Sequence, residues 1–89
     1  MSSKKIPRAD LKAVARRIRQ LRGFELTQGE FAEILGIGQS MVSKLERGEL
    51  LPSVEVLIRM RIHFGRSIDW IMFGDDAEAE KNAGPQSKS

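Results

Sequence analysis

The chain has 89 residues, 40% of them apolar and 30% charged, which bounds it to one small soluble-type domain with a modest core. It holds no cysteine and a single histidine, His63, which excludes a disulfide framework and leaves no cluster for a zinc site; no metal and no cofactor is expected, and a reducing cytoplasm suits such a chain. The net charge is +3, but residues 1–22 carry eight basic side chains against one acid while the rest of the chain is net acidic, an asymmetry that points to an anionic partner.

Residues 1–8 read as a flexible basic arm ending near Pro7, with Lys4, Lys5 and Arg8 as candidate phosphate contacts. Asp10 then stands as an N-cap or first-turn acid. Leu11, Val14, Ile18 and Leu21 follow at spacings of three, four and three, one apolar stripe of a first helix that Gly23 ends. Lys12, Arg16, Arg17 and Arg19 fall on its other faces.

Thr27 and Glu30 form a capping box, with Leu26 and Phe31 in the positions of a hydrophobic staple, so a second helix starts at Thr27. Its apolar residues are Phe31, Ala32, Ile34 and Leu35, and Gly36 is a natural left-handed stop. Gly29 in the first turn costs helix propensity. After Gly36-Ile37-Gly38 a third helix runs from about Gln39 to Arg47, with Val42 and Leu45 inward and Gly48 ending it.

Pro52 breaks the following loop, and Ser53 caps a fourth helix carrying Val54, Leu57, Ile58, Met60 and Phe64 up to Gly65. Ile62 and Phe64 cannot both face one core, so one of them is expected in an exposed apolar patch. Ser67 caps a short fifth helix with Ile68, Trp70, Ile71 and Phe73, closed by Gly74. The apolar stretch from Val54 to Phe73 is interrupted by Arg59, Arg61, Arg66 and Asp69, so no membrane partner is expected. Residues 75–89 contain nothing apolar larger than alanine and read as a disordered polar tail. The predicted organisation is thus an arm at 1–8, a domain at 9–74 and a tail at 75–89, all-α, a five-helix bundle.

Two short helices joined by a tight glycine-bearing turn are what a helix-turn-helix requires: the first bridges the DNA backbone and the second presents its N-terminal end to base edges. The stretch LTQGEFAEILGIGQSMVSKLERGELLPSVEVLIRM, with FGRSIDWIMFG after it, resembles the lambdoid phage repressor/Cro superfamily, the XRE-like helix-turn-helix family. Thr-Gln, Phe-Ala, Leu-Gly-Ile, Leu-Glu-Arg-Gly and Pro-Ser stand at that family's spacing, and the likeness covers about residues 9–74.

The resemblance implies roles. Gln39, Ser40, Ser43 and Lys44 would face bases, in keeping with Gln on adenine, Lys on guanine and Ser on either. Gln28 would meet a phosphate at the helix N-terminus, with Arg17, Arg47, Lys12 and Arg16 as further phosphate contacts. Arg22 and Glu46 would form a structural ion pair. Gly38 replaces the family's usual Ser or Thr cap, while Arg61 and Arg66 replace small or β-branched residues. Either those arginines reach outward or the fourth helix is rotated.

The function implied is a double-stranded DNA-binding transcriptional regulator, a dimeric repressor reading the major groove of a palindromic operator. The alternative on the same fold is an antitoxin or other protein-interaction module, or a restriction-modification controller protein, with Ile62, Trp70, Ile71 and Phe73 as the dimer or partner surface. An enzyme is not expected, since no paired carboxylates, phosphate loop or nucleophile with a base can be found.

Overall fold

The structure, a computed structural model, describes residues 9–74; the arm expected at 1–8 and the tail expected at 75–89 lie outside the described residues. Five helices follow in order: α1 (Leu11–Arg22), α2 (Gln28–Leu35), α3 (Gln39–Glu46), α4 (Val54–Phe64) and α5 (Ile68–Phe73). No strand occurs among the described residues.

The helix boundaries are set by local chemistry. Asp10 accepts from the N–H groups of Lys12 (3.1 Å) and Ala13 (3.4 Å), which satisfies two of the donors that a helix start leaves open. Thr27 Oγ1 accepts from Glu30 N–H while Glu30 Oε1 accepts from Thr27 N–H, both at 3.0 Å, a reciprocal capping box. Ser53 and Ser67 cap α4 and α5 through Val56 N–H (3.2 Å) and Trp70 N–H (2.9 Å).

The corner between α2 and α3 depends on Gly36, which has φ +73°. There the N–H of Gly36 donates to Glu33 C=O (3.2 Å) and that of Ile37 to Ala32 C=O (3.0 Å), the paired bonds of a Schellman stop. A side chain at Gly36 would be strained by the backbone and would also meet the Arg59 guanidinium at 3.2 Å. The same pair of bonds closes α3, with Gly48 N–H on Leu45 C=O (3.2 Å) and Glu49 N–H on Lys44 C=O (3.0 Å).

The core is drawn from all five helices. Val14, Ile18, Phe31, Leu35, Val42, Leu45, Met60 and Ile71 are essentially without solvent exposure. Each such side chain contributes about 1.5–3 kcal/mol of burial before ordering costs are subtracted. Phe31 meets Phe64 edge-on at 5.4 Å between ring centroids, which ties α2 to α4. Ala32 is buried too, a small residue where α2 approaches its neighbours.

One expectation is resolved here and one is corrected. The buried face of α4 is Val56, Leu57 and Met60, with Phe64 packed against the core, whereas Val54, Ile58 and Ile62 are exposed. Phe64 takes the core position and Ile62 does not, because 200° of helical rotation separates them. Trp70 and Ile71, expected on a partner surface, are buried core residues at 7% and 0% exposure. The Trp70 ring is further covered by the Arg66 guanidinium, 3.8 Å from its centroid, so Arg66 lies flat on the domain as a cation over an aromatic face. Arg61 reaches into solvent, and Phe73 is half exposed at the end of α5.

Candidate nucleic-acid interface

α3 has two unlike faces. Val42, Leu45 and Glu46 are buried, while Gln39, Ser40 and Lys44 are exposed. Gly38 caps the helix with no side-chain hydrogen bond, so the leading N–H groups carry no side-chain cap. A donor-rich helix start bearing an amide, a hydroxyl and an ammonium group suits polar base edges and phosphate. Met41 is half exposed beside them.

The inner edge of α3 is fixed by a polar network centred on Glu46, which is 5% exposed. Arg22 binds it in a bidentate manner, Nε to Oε2 at 2.7 Å and Nη2 to Oε1 at 2.9 Å. The third Arg22 nitrogen, Nη1, donates to Leu26 C=O at 3.0 Å. Gln28 Nε2 donates to Glu46 Oε1 at 3.0 Å, and Gln28 Oε1 accepts from Ser43 Oγ at 3.1 Å. One carboxylate thereby joins α1, α2 and α3. Burial alone would push the Glu46 carboxyl up and is the largest single influence. The hydrogen bonds from Arg22 and Gln28, with the charges of Arg22 and Arg19, together outweigh it and hold the group below its ordinary range.

Gln28 and Ser43 therefore face inward as well as outward. Their side-chain bonds hold α2 against α3, and both are half-buried. Other cations serve helix ends. Arg19 Nη1 donates to the Glu46 backbone carbonyl, and Lys12 Nζ donates to the Arg47 carbonyl at 3.1 Å, so two α1 side chains satisfy the C-terminal end of α3. Arg17 Nη1 donates to Ile71 C=O at 2.9 Å, near the end of α5. A Cβ on Gly74 would lie 2.7 Å from Arg17 Nη2, so glycine there gives the guanidinium its room. Arg47 is exposed and pairs with Glu49 at 2.7 Å, an arrangement worth little in water. Arg16 is exposed on α1, lining an open groove with Arg66 and Gly74.

Sequence reasoning missed Arg19 in this set. Its signal was available: Arg19 stands seven residues after Lys12 and three before Arg22, which puts the three on adjoining parts of one α1 face. It also missed the service of Gly29. A Cβ there would meet Gln39 Oε1 at 3.3 Å, so the absent side chain makes room for the first residue of α3. Among the described residues, no group of His, Asp and Glu could hold a metal ion, and no helix is long and apolar enough to cross a membrane.

Residues 16–71 match the family model described as helix-turn-helix. Among solved structures, the chain is similar to the P22 c2 repressor protein, determined in complex with a synthetic operator. That match has a TM-score of 0.65 and 27% identity, over 70% of this chain and 96% of that one. It is similar to the clp gene regulator ClgR from Corynebacterium glutamicum, TM-score 0.57 and 25% identity, over 94% and 87% of the two chains. A hypothetical transcription factor, NHTF from Neisseria, shares the fold at TM-score 0.64 and 17% identity, over 91% and 97%. No curated protein matches the chain.

Proposed function

The chain belongs to the helix-turn-helix family of the phage repressor type, and from that premise we propose that it is a sequence-specific regulator of transcription that binds double-stranded DNA as a homodimer. The observation that carries this reading is the division of α3: an inner face locked by Val42, Leu45 and Glu46, and an outer N-terminal edge of Gln39, Ser40 and Lys44 open to solvent. That edge enters the major groove. Gln39 pairs with adenine, Lys44 with guanine, and Ser40 with either donor or acceptor edges. Ser43 and Gln28 hold the reading helix in register, and the remaining hydrogen-bonding capacity of the Gln28 amide turns to the adjoining phosphate.

Arg16 and Arg47 supply phosphate contacts around α3, assisted by the basic residues before Ala9, while Lys12, like Arg17, is held on a backbone carbonyl. Two copies on a palindromic operator place their reading helices about 34–36 Å apart. The output is repression by occupancy: the bound dimer obstructs polymerase, and neither catalytic step nor cofactor enters. The cytoplasm is the compartment where such a protein meets its DNA. That the P22 c2 repressor was solved on an operator supports the reading.

The test is a mobility-shift titration on the DNA upstream of the protein's own coding sequence, begun at low salt. Retarded complexes that resist competition by random DNA are expected. The absence of any shift at low salt would refute the proposal, because non-specific phosphate binding alone should be visible there.

A further inference from the structure

Val54, Ile58 and Ile62 stand at i, i+4 and i+8 on α4 and are 70%, 44% and 66% exposed. At 100° per residue they fall within an arc of about 80° on one face of the helix. The residues that bind α4 to the core, Val56, Leu57 and Met60, lie on another. Scattered apolar residues in water need no explanation. Three β-branched residues in line on one helix are a different pattern, the seam by which one helix packs on another. Neither the core nor the reading edge uses them.

The charges beside the stripe indicate what covers it. Glu55 and Arg59 lie along one edge, the first exposed and the second half-buried, with Arg59 Nη2 3.7 Å from Glu55 Oε2. We infer that this stripe packs antiparallel against the same stripe of a second copy, about a two-fold axis passing by Ile58. The inference deepens the dimer of the preceding reading and rests on it. In this arrangement Val54 meets the partner's Ile62, and Ile58 meets the partner's Ile58. The two Glu55/Arg59 edges face each other running in opposite directions. Glu55 then stands about 3 Å along the axis from the partner's Arg59 on both sides of the two-fold, and the two Arg59 residues, also about 3 Å apart along it, each lie between the Glu55 of their own chain and that of the partner. Arg61, on the other edge, stays about 9 Å along the axis from the partner's Arg61, which avoids a like-charge contact. A stripe of three side chains is smaller than the roughly 800 Å² per partner of a stable interface. The pair is therefore weak in free solution and has to be trapped to be seen.

The chain has no cysteine, so each substitution introduces a single reporter thiol. Ile58→Cys, oxidised mildly, is expected to form a disulfide-linked dimer, because facing residues at a two-fold come within the roughly 4.4–6.8 Å between Cα atoms that a disulfide needs. Val54→Cys and Ile62→Cys, each alone, should stay monomeric, since each lies about 12 Å along the axis from its own counterpart. The double variant Val54→Cys/Ile62→Cys should cross-link again. All four variants are read with helical circular dichroism to confirm folding, and wild type is read by sedimentation, free and on DNA carrying two half-sites.

Trapping of Ile62→Cys alone, without Ile58→Cys, would overturn the antiparallel register. A wild type that sediments as a dimer while no variant cross-links would place the interface elsewhere and overturn this inference while leaving the dimer reading intact. A wild type that is monomeric when free and binds DNA as one copy would overturn the dimer reading itself.

Discussion

Replacing Arg22 by methionine keeps much of the side-chain volume and removes the guanidinium from Glu46. The Glu46 carboxylate, 5% exposed, would keep only the hydrogen bond from Gln28. Breaking a buried pair by removing one member costs about 3–5 kcal/mol. The Arg22 side chain is itself 23% exposed, so water screens part of the attraction, and the expected loss is about 2–3 kcal/mol. At about 4–8 °C per kcal/mol for a domain of this size, the unfolding midpoint should fall by roughly 8–24 °C.

The loss should depend on pH in a stated direction. In the wild type the Glu46 carboxyl is held below its ordinary value of 4.5. Its contribution is then fully present above the unfolded pKa and disappears as pH falls through the lower, folded one. In the variant, burial is opposed by much less, so the carboxyl moves upward and its ionised form becomes a liability near neutrality. The gap between the two proteins should be widest near neutral pH and should close on acidification below 4.5. Trp70 is the only tryptophan and is buried, so urea unfolding followed by its fluorescence reads both proteins. A gap below about 0.5 kcal/mol at neutral pH, or one unchanged by acid, would refute the reasoning about Glu46.

Gln39→Ala and Lys44→Ala should each relax the preference at one base position by about 1–3 kcal/mol, measured by competition between operators differing at single base pairs. Arg16→Ala should weaken all DNA sites alike and lower the salt slope by about 0.9 per phosphate lost. Arg17→Ala should instead cost about 1–2 kcal/mol of stability and leave that slope unchanged, because its guanidinium is spent on Ile71 C=O. Gly29→Ala should raise the melting temperature, as alanine is favoured in a helix by up to about 1 kcal/mol. It should also displace the Gln39 amide, which would otherwise sit 3.3 Å from the new Cβ, so base preference at that position shifts while the fold grows firmer. Selection experiments on the Gly29→Ala protein would detect that shift, and an unaltered preference would mean that Gln39 does not read from this pose.

The elements that could be read from sequence are those fixed by neighbours in the chain. Asp10, Thr27 with Glu30, Ser53 and Ser67 cap helices through residues two or three positions away, and Gly36 stops α2 by its own backbone freedom. The face of α4 was not legible. Seven of its eleven residues are apolar, spread round the whole circumference, so periodicity selects no side. Contact with Phe31 and the rest of the core makes the choice. Trp70 was misread because a helix of six residues shows too little period, and because its cover is the cation Arg66, which sequence patterning assigns to solvent. The cations of α1 divided in a way that charge alone cannot show: Lys12, Arg19 and Arg22 turn to the C-terminal end of α3, and Arg17 to α5. Which carbonyl lies opposite each one is decided by the packing of helices far apart in sequence.

The most direct measurement is to titrate isotope-labelled protein with an operator duplex obtained by selection from random DNA and to follow every backbone amide. The largest shifts should fall on residues 38–44 and the start of α2, with the Trp70 indole and the amides of α5 almost still. Largest shifts on α4 or α5, with the Gln39 and Ser40 amides unmoved, would contradict the claim that the open edge of α3 enters the groove.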